Sequence, residues 1–220
     1  VTAAALALGA VLLVALPAAA QEGLVASADG DPIRLMALGD SLTAGYGLAD
    51  AEAFPARLQQ ALAERGYDVT VLNAGVSGDT TAGGLARLDW ALADDPDLAL
   101  VELGANDGLR GIDPAATREN LAGILEQLVA RGVPTLLTGM YAPPNLGREY
   151  GEAFDAIYPD LAQTYGVPLY PFFLEGVATD PALNQDDGIH PNAEGVDVIV
   201  ERIAPYVVDL IEASGVAAGA

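Results

Sequence analysis

The chain has 220 residues, with no cysteine, no lysine and a single histidine, His190. Without cysteine there is no thiol nucleophile, no disulfide framework and no thiolate zinc site. One histidine excludes a multi-histidine metal centre and leaves only a carboxylate-only site open. Serine is nearly as scarce, at Ser27, Ser41, Ser77 and Ser214. Positive charge is limited to nine arginines against 31 acidic residues, a formal net charge of -22. Such a surface repels nucleic acid and anionic membranes, so neither is expected as a partner. The acidity itself speaks of solubility, not of chemistry.

Apolar residues, in contrast, make up 52% of the chain, enough for one domain with a sizeable core. The first twenty residues are uncharged and rich in Ala, Leu, Val and Gly. Their run from Ala3 to Leu16 suits the apolar region of an export signal, and Ala18-Ala19-Ala20 offers a small-residue cleavage site. A retained membrane anchor is the rival reading. The expected division is a signal peptide at 1–20, a polar linker at 21–31, one domain at 32–212 and a flexible tail at 213–220. The mature chain is expected in the periplasm or secreted, with no stable membrane insertion once the signal is cleaved.

From Ile33 onward, short apolar runs alternate with longer amphipathic segments. The runs are Ile33–Leu38, Val69–Leu72, Leu98–Leu103, Pro134–Thr138 and Val167–Tyr170. Helices are predicted near 54–65, 81–93, 114–131, 151–165 and 192–212, the third opening at Pro114 and the last following Pro191. This alternation argues an α/β fold, a parallel sheet with helices on both faces.

In such sheets, functional residues collect in loops beyond the carboxyl ends of the strands. Four loops there carry chemistry. The first is Gly39-Asp40-Ser41-Leu42 and the second runs from Asn73 to Thr80. The third is Gly104-Ala105-Asn106-Asp107-Gly108, and the fourth is Asp186-Asp187-Gly188-Ile189-His190-Pro191-Asn192. Acyl transfer requires a nucleophile, a base within hydrogen-bond reach and an acceptor that orients the base. Ser41 directly follows a strand, whereas Ser77, its rival, does not. His190 or a carboxylate is the available base. Asp187, three positions before His190 across a glycine, can fold back onto one ring nitrogen. The oxyanion needs donors, and Gly78 and Asn106 could supply a backbone N–H and a neutral amide; each could equally be a turn residue. Asp40, Asp79 and Asp107 read as loop-fixing acceptors.

Taken together, Gly39-Asp40-Ser41-Leu42, Gly78, Gly104-x-Asn106-Asp107 and Asp187-x-x-His190 resemble, in order and spacing, the four blocks of the SGNH (GDSL) hydrolase superfamily. The likeness spans about Ile33 to Val207. Within the superfamily the chain resembles the exported bacterial thioesterase/lysophospholipase/arylesterase branch, through Val101–Gly111, Glu152–Pro159 and Gln185–Asn192. Thr43 stands where the Gly-x-Ser-x-Gly elbow wants glycine, so the α/β-hydrolase pattern is disfavoured.

The resemblance implies a three-layer α/β/α sandwich with a flavodoxin-like five-stranded parallel sheet. It implies Ser41 as nucleophile, His190 as base and Asp187 as its partner. The Ser41 N–H, the Gly78 N–H and the Asn106 side chain would be the oxyanion donors. It further implies acyl-chain contacts from Leu109 and Ile112, with Tyr141 and Pro143 on the opposite wall. The implied activity is hydrolysis of small-molecule or lipid acyl esters or thioesters, with neither metal nor organic cofactor. Carbohydrate O-deacetylation on the same site and a non-catalytic exported binding protein are the alternatives.

Overall fold

The computed structural model describes residues 24–217. The expected signal peptide at 1–20 lies outside the described residues, as do 21–23 and 218–220. Five strands form one parallel sheet: β1 (Ile33–Gly39), β2 (Val69–Gly75), β3 (Leu98–Glu102), β4 (Thr135–Thr138) and β5 (Leu169–Tyr170). Their order is β2-β1-β3-β4-β5, the flavodoxin-like arrangement. The register pairs Leu35 with both Val71 and Leu98, and Gly39 with both Gly75 and Glu102. The ends of β1, β2 and β3 are therefore level, and their following loops meet at one edge.

Central strands β1 and β3 are covered on both faces, which is why they read as unbroken apolar runs. Leu35, Met36, Ala37, Leu38 and Leu98–Val101 are fully buried. β2 lies at the sheet edge and exposes Thr70 and Asn73. The helices are α1 (Ser41–Ala44), α2 (Phe54–Glu64), α3 (Thr81–Ala86), α4 (Leu88–Ala91), α5 (Ala105–Arg110), α6 (Pro114–Ala130), α7 (Arg148–Asp155), α8 (Ile157–Tyr165) and α9 (Ala193–Ser214). With right-handed crossovers, the leftward step from β1 to β2 puts α2 on one face. The rightward steps that follow put α3, α6 and α8 on the other. The packing agrees: α2 lies against α9, and α6 against α3 and α8. This is the three-layer sandwich.

Several elements differ from expectation. The helix predicted over 81–93 breaks at Arg87, whose side chain reaches back to Asp79 Oδ2 (2.6 Å), Ala74 O (2.8 Å) and Gly39 O (2.9 Å). That predicted over 151–165 starts at Arg148 and breaks at Ala156. The stretch expected as linker is docked from Val25, which bridges to Tyr67, and Ser27 bridges to Ala217. Helix α9 runs to Ser214, and Ala217 is buried. Residues 213–217 are thus not a free tail, because the two ends of the domain pair with each other across the sequence. Among the described residues, no helix is long and apolar enough to cross a membrane.

Candidate active site

β1 ends at Gly39, where a side chain would overlap Thr43 Oγ1 and crowd Glu102 Oε2. Asp40 then caps α1, its Oδ1 accepting the Leu42 N–H at 3.0 Å. Ser41 is the first residue of this single-turn helix, so its N–H is among the donors that have no partner within the helix. The turn closes at Gly45 in the left-handed conformation (φ 82°). A four-residue helix has too little periodicity to be seen in sequence, which indicates only a turn there.

His190 comes to Ser41 from a loop 149 residues later, with Nε2 2.9 Å from Ser41 Oγ. Its Nδ1 lies 2.6 Å from Asp187 Oδ2. Asp187 Oδ1 accepts the N–H groups of Ile189 and His190, both at 3.0 Å. The carboxylate therefore wraps one turn, which passes through Gly188 at φ 73°. The His190 bond and these two backbone donors bring the Asp187 carboxyl down to about 2. Gln185 clamps the loop: its N–H donates to His190 O (2.7 Å) and its amide to Tyr46 O (2.7 Å) and Pro191 O (2.9 Å). The Tyr46 ring, just past α1, lies 4.6 Å from the imidazole centre. Helix α9 is capped by Asn192, whose side chain accepts the Gly195 N–H.

Asn106 stands in the first turn of α5, another short helix where the sequence indicates only a loop. Its Nδ2 donates to Asp40 Oδ2 at 3.1 Å, tying the third loop to the first. The turn from β3 into α5 passes through Gly104 at φ 118°, where a Cβ would overlap the Tyr158 hydroxyl. Asp107 is fully buried and accepts from Thr81 N (2.9 Å), Thr81 Oγ1 and Thr117 Oγ1 (3.1 Å). Asp79 accepts from Arg87. Asp40, Asp79 and Asp107 are thus all acceptors that fix loops. Gly78 adopts φ 81°, and its carbonyl accepts Arg110 Nη2 at 2.6 Å. It is not among the residues lining the cleft beside Ser41.

That cleft has a volume of about 240 Å³. Ser41, Asn106 and His190 form its polar end; Leu109, Met140, Tyr141, Pro143 and Phe172 form apolar walls. Ile112, expected in the same wall as Leu109, does not line it. α5 ends at Gly111 (φ 62°), and Ile112 is pinned there by its N–H to Asp107 O and its carbonyl to Tyr150 Oη. Phe172, whose ring lies 4.5 Å from that of Tyr141, is a wall residue that sequence reasoning does not find. Its one sequence signal is its place just beyond the carboxyl end of β5. A wider hollow of about 500 Å³ opens beside Pro96 and Pro134, just before β3 and β4 and so at the opposite sheet edge; the sole histidine is not there. Among the described residues, no cluster of three His, Asp or Glu side chains is placed to hold a metal ion.

Behind Ser41 lies a group the sequence does not single out. Glu102, the last residue of β3, is fully buried, and its Oε2 accepts from Thr43 Oγ1 (2.8 Å) and Asp40 N (3.3 Å). Its Oε1 is buried without a hydrogen-bond partner. Burial, followed by the charge of Asp40, holds the Glu102 carboxyl well above its ordinary 4.5. Burial also pushes Asp40 up to about 6, against the pull of the Leu42 N–H, the Asn106 amide and His190.

Several known proteins are similar to this chain in sequence. An arylesterase of Vibrio mimicus is 46% identical over 176 residues, covering 80% of this chain and 88% of that protein. Thioesterase 1/protease 1/lysophospholipase L1 of Escherichia coli (strain K12) is 45% identical over 178 residues, covering 80% and 84%. Among solved structures, the SGNH-hydrolase family esterase AlinE4 is 51% identical and superposes with a TM-score of 0.70, covering 82% of this chain and 97% of that one. The structure of TesA is 44% identical with a TM-score of 0.76, covering 80% and 99%. Residues 37–198, from the middle of β1 into α9, match the GDSL-like Lipase/Acylhydrolase family, and the chain belongs to it.

Proposed function

We propose that the protein is a serine esterase that hydrolyses acyl esters or thioesters through Ser41, His190 and Asp187. The observation that carries this reading is the continuous chain from Ser41 Oγ to His190 Nε2 and from Nδ1 to Asp187 Oδ2, placed at the polar end of an apolar cleft. With the Nδ1 proton held by Asp187, Nε2 is free to accept the Ser41 proton. Ser41 Oγ attacks the acyl carbonyl and the C=O electron pair moves onto oxygen. The Ser41 N–H, the Asn106 amide and the Gly78 N–H serve as donors to that oxyanion. Ser41 is supported in this role by its place at a helix start and Asn106 by its place in the cleft lining, while Gly78, which does not line the cleft, is assigned by the family resemblance alone.

Collapse of the tetrahedral intermediate expels the alcohol or thiol, which takes the proton from His190. A water deprotonated by His190 then attacks the acyl-enzyme, and Ser41 leaves with the proton. No step calls on a metal or an organic cofactor.

Leu109, Tyr141 and Pro143 contact the acyl group, with Phe172 and Met140 completing the wall. The named activities of the relatives support an aryl ester, a lysolipid or an acyl thioester as substrate. We also infer an export role for residues 1–20, and a periplasmic or secreted mature chain. The test is a set of p-nitrophenyl esters and acyl thioesters of increasing chain length, run beside acetylated xylan. An apolar wall discriminates by only about 1–3 kcal/mol per methylene, so a graded chain-length profile is expected. Activity confined to acetylated xylan would instead establish the O-deacetylase.

A further inference from the structure

Asp40 fixes a loop, and its position gives it a second task. Its two carboxylate oxygens are divided between the nucleophile and the oxyanion donor: Oδ1 caps the helix that presents Ser41, and Oδ2 accepts Asn106 Nδ2 at 3.1 Å. Asp40 is itself fully buried and held from behind through its N–H on Glu102 Oε2. We propose that Asp40 is a positioning residue for acyl transfer, holding the Asn106 amide in the one orientation that can donate to the oxyanion.

An asparagine side chain presents two donors on Nδ2 and an acceptor on Oδ1, and the two ends have nearly the same shape. Turned the right way, Asn106 offers the developing oxyanion an N–H; turned by half a rotation, it offers a repelling carbonyl oxygen. An ionised carboxylate only accepts. Asp40 can therefore bond Nδ2 and cannot bond Oδ1, which selects the productive rotamer before substrate arrives. With one Nδ2 hydrogen committed to Asp40, the other is left free.

Glu102 makes this arrangement tolerable. Two ionised carboxylates so close, and both buried, would repel each other strongly. Burial and the negative charge of Asp40 both favour the protonated form of Glu102, so the pair is spared a second charge. Around Asp40 stand Glu102 on β3, His190, and Asp79 with its Arg87 partner. The imidazolium that forms on His190 during attack is attracted by this same charge.

This role depends on Asn106 being an oxyanion donor, and the test separates the two claims. Steady-state kinetics on p-nitrophenyl butyrate would be measured for the full chain and for D40N, D40S, N106A and D40N/N106A. The asparagine in D40N can donate to Oδ1 and so stabilise the wrong amide rotamer. The serine in D40S still caps the helix but is too short to reach Asn106; it serves if D40N fails to fold, and thermal melting checks both. N106A should lower kcat by about 10²–10³, the range for one lost oxyanion donor. D40N and D40S should lower kcat by about 10–100-fold with KM within about twofold, the signature of an interaction made in the transition state. D40N/N106A should match N106A within about twofold, because Asp40 then has nothing left to orient.

Wild-type kcat in folded D40N and D40S, with N106A impaired, overturns the role of Asp40 and leaves that of Asn106 standing. A double-variant loss equal to the product of the single losses also overturns it, since Asp40 would then act independently of Asn106. Wild-type kcat in N106A refutes the oxyanion role of Asn106, and the role of Asp40 falls with it.

Discussion

Replacing Glu102 with glutamine tests the buried carboxyl pair as a matter of stability, apart from any role in the reaction. In the native fold Glu102 is fully buried and holds its proton to higher pH than the ordinary 4.5. Above that ordinary value the unfolded chain has released the proton while the native state still binds it. Native stability therefore falls as pH rises, by about 1.4 kcal/mol per pH unit for each proton so retained. E102Q has no proton to retain there, so its slope should be shallower by that amount. The Asp40 carboxyl, pushed up to about 6, adds a slope of the same sign to both proteins, and it largely cancels in the difference.

A second effect works the other way. The glutamine oxygen can still accept from Thr43 and from the Asp40 N–H, but its amide nitrogen brings two N–H donors to the place of Oε1, one more than the protonated acid leaves there without a partner. A buried donor left unpaired costs about 1–3 kcal/mol. At pH 5, E102Q should thus be less stable by about 1–3 kcal/mol. As pH rises above 5 that gap should narrow. Urea denaturation followed by far-UV circular dichroism at several pH values between 5 and 6.5 measures both. Parallel stability curves would refute the reasoning, because they would mean that Glu102 ionises in the fold as it does in the unfolded chain.

Three further outcomes concern the site and its supports. D187N puts an amide N–H against His190 Nδ1, moves the ring proton to Nε2 and removes the acceptor that faces Ser41; kcat should fall by about 10²–10⁴ with KM little changed in steady-state assays. The lowered Asp187 carboxyl contributes stability that is complete above its ordinary 3.8 and is lost as pH falls through about 2, so acid denaturation curves of wild type and D187N should converge in that window. G104A forces a side chain into a φ of 118° and against the Tyr158 hydroxyl, and should cost about 2–4 kcal/mol, read as a lower melting temperature.

The sheet is legible in the sequence because its strands are buried. Leu98 to Val101 has no exposed side chain, and a strand covered on both faces must be apolar at every position rather than at alternate ones. Helix α6 is legible through Pro114 and the spacing of Leu121, Ile124, Leu125 and Leu128, all buried. Ser41 and His190 can be brought together on paper because serine and histidine are scarce, whereas Asp187, one of many acidic residues, is picked out by its spacing from His190. What escapes the sequence depends on contacts distant along the chain. Helices α1 and α5 have four and six residues and are set by Asp40, Asp107 and their partners rather than by periodicity. Arg87 interrupts a helix to reach Gly39, 48 positions away. Ile112 groups with Leu109 by proximity in sequence, but Gly111 turns the chain between them. Glu102 passes as one polar residue in an apolar strand, and its importance appears only when the end of β3 is seen to lie level with Asp40.

Every step of the proposed chemistry requires that Ser41 be covalently acylated, and intact-mass analysis after treatment with an alkyl fluorophosphonate reads that directly. Ser41 Oγ would displace fluoride from phosphorus, leaving one phosphonyl group per chain and releasing fluoride and a proton. A single adduct is predicted, mapped by peptide sequencing to Ser41, appearing in step with loss of esterase activity and absent from S41A. Full activity in a chain carrying that adduct, an adduct on Ser77 in its place, or wild-type hydrolysis by S41A would contradict it.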